Sequence, residues 1–216
     1  MLFGSAKRLA MYGKLLNIIY QGHTVNSVNE YKYLGTVIDN HLTLTSNFEK
    51  VYKKASSRLR LLHRLRSHLT TEAARNVYLM MIVPLITYST THRIPYTNTQ
   101  YKKLESLSRR ASSIIKCNDN LPLINGLVNR DICLLVKKCL LKSLNSETFD
   151  DYFTQQMHNK NTRNNNHSIR LPRVKLELAR QSFYFYGGKL YNALPLEMRK
   201  IDNICEFKVS LKGHFL

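Results

Sequence analysis

The sequence predicts an α+β fold that is mostly α, and three observations carry that reading. β-prone residues crowd the stretch before position 40, and from Phe48 onward the apolar residues recur at helical steps of three and four instead. Hydrophobic residues make up 44% of the 216 and aromatics 10%, so the chain is not a disordered polymer. Its length fits one domain, or one and a half, and is enough to bury a real core.

Residues 14–38 read as a few strands. "KLLNIIYQG" ends at a turn on Gly22, "HTVNSV" follows, and "EYKYLGTVID" reads as one more strand. Val25, Val28, Tyr31, Tyr33, Leu34, Val37 and Ile38 supply its β-prone character. A β-unit of this size, spanning 1–44, needs a sheet to join or helices to pack on. Asp39 and Asn40 close it. Two-metal chemistry requires at least two carboxylates held close together, and Glu30 and Asp39 are the only acids before Glu49. Asp39-Asn40 therefore reads as a turn or cap.

Then the period changes. Ser46 followed by Glu49 has the capping-box spacing that starts a helix. Phe48, Val51, Ala55, Leu59, Leu62, Leu65 and Leu69 trace one face. Lys50, Lys53, Ser57, Arg60 and Arg64 trace the opposite one, a stripe of about 21 Å at 1.5 Å per residue. Lys54 and Arg58 join that stripe if the helix rotates toward a groove, while Arg58 and Arg66 flank the apolar face. A second helix starts near Thr70 or Thr71. Pro84 should kink or end it, and its lack of charge after Arg75 marks it as the buried helix of the group. A third helix, about Thr99–Lys116, sets Leu104, Leu107, Ala111, Ile114 and Ile115 against a basic face of Lys102, Arg109 and Lys116. These three form a thumb-like bundle over 45–116.

The remainder divides into a post-thumb segment, 117–157, an Asn-rich stretch, 158–173, and a C-terminal segment, 174–216. "DICLLVKKCLLKSL", about Asp131–Leu144, is apolar nearly all round and reads as a buried helix. "HNKNTRNNNHSIRLPR" lacks periodicity and reads as a flexible loop. The last segment alternates short helical patterns with a turn at Gly187-Gly188 and a break at Pro195.

Charge supplies the functional signal. Lys and Arg outnumber Asp and Glu by 33 to 14, a net +19. Residues 45–116 hold fourteen of the bases and three of the acids, so the excess lies on helices and not in a tail. Ordinary exposed helices interleave both signs; a stripe left unpaired repels itself unless a polyanion compensates. Phosphate binding is the simplest compensation. The candidate phosphate ligands are Lys50, Lys53, Lys54, Arg58, Arg60, Arg64, Lys102, Arg109 and Lys116.

Catalytic signatures are weak. "TFDDYF", 148–153, has adjacent aspartates after an aromatic, but Phe149 abuts Asp150 directly and the flanks are polar. No GxSxG, P-loop or HExxH is present. Cys117, Cys133, Cys139 and Cys205 have neither CxxC pairing nor zinc-finger spacing, and read as reduced, buried or partly buried thiols. Met1–Ile19 lacks the apolar core of a signal peptide, and Val77–Tyr88 is too short for a membrane span and contains Pro84. The expectation is a nuclear or cytoplasmic protein with no membrane partner.

"VNEYKYLGTVIDNHLTLTSNFEKVYKKASSRLRLL" resembles the segment after the catalytic core of non-LTR (LINE-type, jockey-like) retrotransposon reverse transcriptases. There, "KYLGV.ID..L.W..H" closes the palm and leads into a basic thumb helix. "LRSHLTTEAARNVYLMMIVPLITYS", "YKKLESLSRRASSIIK" and "SFYFYGGKLYNALPLEMRKIDNICEFKVSLKGHFL" resemble the helices and C-terminal pattern that follow, and "MLFGSAK" resembles the end of the palm. Tyr191 stands where that family usually has Trp, and Leu44 replaces an aromatic. The resemblance covers essentially the whole chain and implies the last palm strands, the thumb and a post-thumb region, without the catalytic carboxylates.

That resemblance implies contact with the backbone of RNA or an RNA–DNA hybrid, without sequence specificity. Polymerisation would belong to upstream palm and fingers, where the parent enzyme uses magnesium; no cofactor is expected in this chain, which alone should be inactive. Two alternatives stay open: a degenerate transposon-derived reading frame with no retained function, and a basic helical protein-interaction module.

Overall fold

A computed structural model describes residues 1–12, 18–88, 97–116, 121–144, 153 and 167–215. The molecule is α+β and mostly helical, with a small N-terminal β region followed by helices. It divides into two compact units, Met1–Ser57 and Arg58–Leu216.

The first unit opens with α1 (Ala6–Tyr12), followed by β1 (Ile18–Tyr20) and β2 (His23–Val25), an antiparallel pair in which Ile19 lies opposite Thr24. The turn between them holds Gln21 at φ 49° and Gly22 at φ 80°. Positive φ at both central residues is the type I′ pattern, whose twist matches that of the strands. The same device recurs at Leu34 (φ 45°) and Gly35 (φ 83°). It corrects the reading of 30–39 as one strand. The segment is a second hairpin, β3 (Glu30–Tyr33) and β4 (Thr36–Asp39), with Lys32 opposite Val37 and Glu30 opposite Asp39. The two hairpins form separate two-stranded sheets.

Helix α2 (Thr45–Leu65) starts one residue before the expected cap, so Ser46 lies in its first turn. Its entry is organised by Asp39. One carboxylate oxygen accepts the N–H groups of His41 (3.1 Å) and Thr43 (2.9 Å); the other accepts the Leu44 N–H and the Thr43 hydroxyl (3.1 Å). These donors lie in the turn that leads into the helix, and an aspartate there satisfies several of them at once. Of the turn and cap roles expected for Asp39-Asn40, Asp39 takes the turn role, closing the bend that leads into α2. Asn47, one turn into the helix, accepts the Val37 N–H at 3.0 Å and ties helix to hairpin.

The second unit takes the rest of α2, a 3-10 turn (Arg66–His68), α3 (Thr71–Val77), a π-helical turn (Tyr78–Ile82) and α4 (Val83–Thr87). Thr70 caps α3 by accepting the Ala73 N–H at 3.1 Å. Pro84 does not end this helix. The Val83 N–H bonds back to the carbonyl of Tyr78, five residues earlier, and that widened turn precedes the proline, whose ring crowds a regular α-turn. A capping box of Thr97 and Gln100 starts α5 (Asn98–Ile115), which buries Leu104, Leu107, Ala111 and Ile115 as its periodicity required.

The central helix is α6 (Ile124–Leu140), which packs against α4, α5 and the C-terminal helices. It corrects two expectations. It begins well before Asp131, with Ile124, Leu127 and Val128 buried in its first turns, and the 71–87 segment is buried on one face only, at Ala74, Tyr78, Ile82 and Ile86, while Met80 remains 74% exposed. Beyond it come α7 (Glu177–Arg180), α8 (Phe183–Asn192), α9 (Leu196–Arg199) and α10 (Ile204–Phe215). Gly187 and Gly188 make no turn; they sit buried inside α8. A Cβ on Gly187 would stand 3.1 Å from a Val136 methyl, and one on Gly188 2.7 Å from a Leu171 methyl. Their missing side chains allow close packing. Gly126 does the same in α6, where a Cβ would overlap the carbonyl oxygen of Phe215.

Residues 167–173, the end of the expected loop, are anchored. Asn192 imitates a backbone partner, accepting the Ile169 N–H at 2.8 Å and donating to the Ile169 carbonyl at 2.9 Å. Residues 158–166 lie outside the described residues. Arg199 is buried and donates to the Leu194 and His167 carbonyls and the Ser168 hydroxyl. Its own carbonyl accepts from the buried Lys137 ammonium at 3.0 Å. Lys137 also reaches Asp202 at 3.3 Å and lies 5.7 Å above the Phe207 ring. A buried ammonium is tolerable only with such partners.

Candidate nucleic-acid interface

The nine candidate cations fall in both units and on two helices. In the first unit Lys50, Lys53 and Lys54 are exposed on α2. Lys50 is 3.4 Å from Glu30, a pair about half exposed on both sides and therefore weak. In the second unit Arg58, Arg60 and Arg64 are exposed on α2, as are Lys102, Arg109 and Lys116 on or just beyond α5. Among the described residues Lys53, Lys54, Arg60, Arg64, Lys102, Arg109 and Lys116 take part in no ion pair.

Two arginines of the same stretch are committed elsewhere. Arg58 donates to the Met81 carbonyl at 2.6 Å, within the π-turn where the regular backbone ladder is interrupted. Arg66 spreads its guanidinium over the carbonyls of Leu69 (2.6 Å), Ile114 (3.1 Å) and Ile115 (3.0 Å) and the Thr71 hydroxyl (2.9 Å). The last carbonyls of a helix lack intrahelical donors, so Arg66 caps α5 from the end of α2. That contact brings Arg64 and Lys116, each within two residues of it, to the same end of the unit. Lys102 lies at the other end of α5, about 21 Å earlier at 1.5 Å per residue. Lys116 has a left-handed backbone (φ 53°) and its N–H closes α5 on the Ser112 carbonyl. A cation there also complements the helix dipole.

A metal centre does not fit the acids in view. Both Asp39 oxygens are occupied by the helix entry. Burial pushes its carboxyl up, but the N–H groups of Thr43, Leu44 and His41 and the Thr43 hydroxyl outweigh that, and the group titrates below the usual carboxylate range. Among the described residues no three of His, Cys, Asp and Glu cluster to hold an ion. Asp150 and Asp151 lie outside the described residues, as does Cys117. Cys133 and Cys139 are buried, and burial pushes the Cys133 thiol up to about 12. Cys205 corrects the expectation of burial: it is exposed in the first turn of α10.

No protein-family model matches the chain, and no curated protein or solved structure matches it either.

What the sequence reading missed lies beside the stripe. Lys32, paired with Val37 across β3–β4, shares a cleft with Lys50 and Lys54. The Leu34-Gly35 pair was the signal, since a hairpin there brings residue 32 opposite residue 37. The helices around this chemistry include none long and apolar enough, among the described residues, to cross a membrane.

Proposed function

We propose that this chain is the nucleic-acid-gripping part of a non-LTR retrotransposon reverse transcriptase, comprising the end of the palm, the thumb and a post-thumb region. It holds the phosphate backbone of RNA or an RNA–DNA hybrid without reading sequence, in the nucleus or cytoplasm, beside the palm and fingers of a full-length polymerase. The observation that carries this reading is the set of exposed cations on α2 and α5 without acidic partners among the described residues. Arg58 and Arg66 are spent on backbone carbonyls; among the described residues Lys53, Lys54, Arg60 and Arg64 are not. Charges left in solvent at helical spacing release counterions when they meet phosphates, which gives binding its free energy and its salt dependence. The order of motifs along the whole chain supports the same reading.

The test is fluorescence anisotropy with an RNA–DNA hybrid over a range of salt concentrations. Lys53→Ala and Arg60→Ala should each lower the log–log salt slope by about one unit, equally for all sequences. A folded protein that fails to bind at low salt would overturn the proposal. The protein-interaction alternative draws on a different surface, the exposed Leu61, Leu65, Met80 and Met81 of the second unit.

A further inference from the structure

Residues 167–171 lie in no helix, yet the second unit grips them as it would a ligand. Ile169 is 1% exposed, Arg170 is exposed and Leu171 is partly buried, the alternation of an extended segment with one side inward. Asn192, the last residue of α8, lays its amide along Ile169. The amide oxygen accepts the Ile169 N–H at 2.8 Å, and the amide nitrogen donates to the Ile169 carbonyl at 2.9 Å. A neighbouring antiparallel strand would offer the same pair of bonds. Arg199, at the end of α9, donates to the Ser168 hydroxyl at 2.7 Å and to the His167 carbonyl at 3.4 Å. Gly188 leaves the floor open: a Cβ there would stand 2.7 Å from Leu171 Cδ2 and 3.5 Å from Ile169 Cγ2. Main-chain bonds, with a floor under alternate side chains, are how a sheet edge receives an extended peptide. Here the side chains of two helices supply them.

We propose that α8 and α9 form a groove for an extended Ser-Ile-x-Leu segment, filled in cis by residues 168–171 and in trans by the same residues of a second copy. The second copy is the occupant because its segment carries every group that the groove contacts. Chain length permits the exchange: thirteen residues, 154–166, join the segment to Phe153, whose ring also borders the groove, 3.5 Å from the Gly188 Cβ position. Passing the segment to a neighbour keeps each groove filled with the same contacts, a low-cost route to a dimer. None of these residues belongs to the cation set, so the groove is independent of the grip proposed above.

The experiment uses two full-length variants, each checked for folding by circular dichroism. Ile169→Asp spoils the segment and keeps the groove; Asn192→Ala keeps the segment and removes two main-chain bonds from the groove. Fluorescein-labelled HSIRLPR, residues 167–173, should bind Ile169→Asp in an anisotropy titration. It should bind the unaltered protein more weakly, because the tethered segment competes at a roughly millimolar effective concentration. Adding Asn192→Ala to Ile169→Asp should weaken the peptide about 10–100-fold, as the loss of two hydrogen bonds implies. Light scattering of an equimolar mixture of the two variants at physiological salt should give a heterodimer, while each variant alone stays monomeric. A folded Ile169→Asp that ignores the peptide, or peptide binding indifferent to Asn192, would overturn the groove. A mixture that stays monomeric while the peptide binds would overturn the second copy as occupant and leave the groove to a segment of another chain. If Ile169→Asp does not fold, Ile169→Ala takes its place with the same outcomes.

Discussion

Arg58, Arg60, Arg64 and Arg66 occupy adjacent turns of one stretch of chain, yet among the described residues only Arg60 and Arg64 keep their guanidinium groups free of backbone carbonyls. The difference follows from position. Residues 58 and 66 flank the apolar face, where a long side chain reaches the Met81 carbonyl of the π-turn and the last carbonyls of α5. Arg66→Ala should therefore cost about 2–3 kcal/mol in urea denaturation, by leaving several carbonyls unsatisfied. Arg60→Ala should change stability by less than about 0.5 kcal/mol. The flanking position of both arginines was legible from the spacing; most of their acceptors were not, because the Met81, Ile114 and Ile115 carbonyls belong to distant elements. Asp39 offers a second check. Its carboxyl titrates below the usual range, so its stabilisation is fully present above about pH 4 and is lost as pH falls through the lowered value. Asp39→Asn should destabilise the protein at neutral pH by about 1–2 kcal/mol and flatten that acid-side decline, read from melts across pH.

At the level of elements, periodicity located the long helices because one buried stripe dictates their sequence. α5 runs within a residue of its expected limits, and the apolar face of α2 is buried at Phe48, Ala55, Leu59 and Leu62. The failures share one cause. Glycine signals a turn only when the backbone needs positive φ, and the sequence does not say whether it does. Gly35 takes φ 83° and folds a hairpin, whereas Gly187 and Gly188 remain helical and let α8 approach α6 and the 169–171 segment. The role of Gly126 is tested by Gly126→Ala. Helix propensity alone would stabilise that change by about 1 kcal/mol. Overlap with the Phe215 carbonyl should reverse the sign, giving a net loss of about 1–3 kcal/mol in thermal or urea unfolding. Gly188→Ala should cost less, since the Leu171 side chain can turn away.

Over the whole molecule, the +19 charge is an opposing force that the fold must overcome. Self-repulsion of that size falls as ions screen it. The melting temperature should rise from low to physiological salt, and rise further with a polyanion such as heparin; a flat response would mean that the cations are already neutralised within the fold. The helical stripes of the candidate site were legible in the sequence because helix spacing assigns faces directly. The cleft was not, since it depends on a hairpin turn and on the packing of that hairpin against α2.

The buried Lys137 has a consequence for synthesis. Its carbonyl partner lies 62 residues later and its carboxylate partner 65 residues later. At about 5–20 residues per second, a ribosome needs roughly 3–12 s to deliver the first of them. During that interval α6 carries an ammonium group amid apolar side chains that α8 and α10 have yet to cover. The nascent chain is then most attractive to chaperones and to its own neighbours on a polysome. Premature termination anywhere before Arg199 would make that interval permanent.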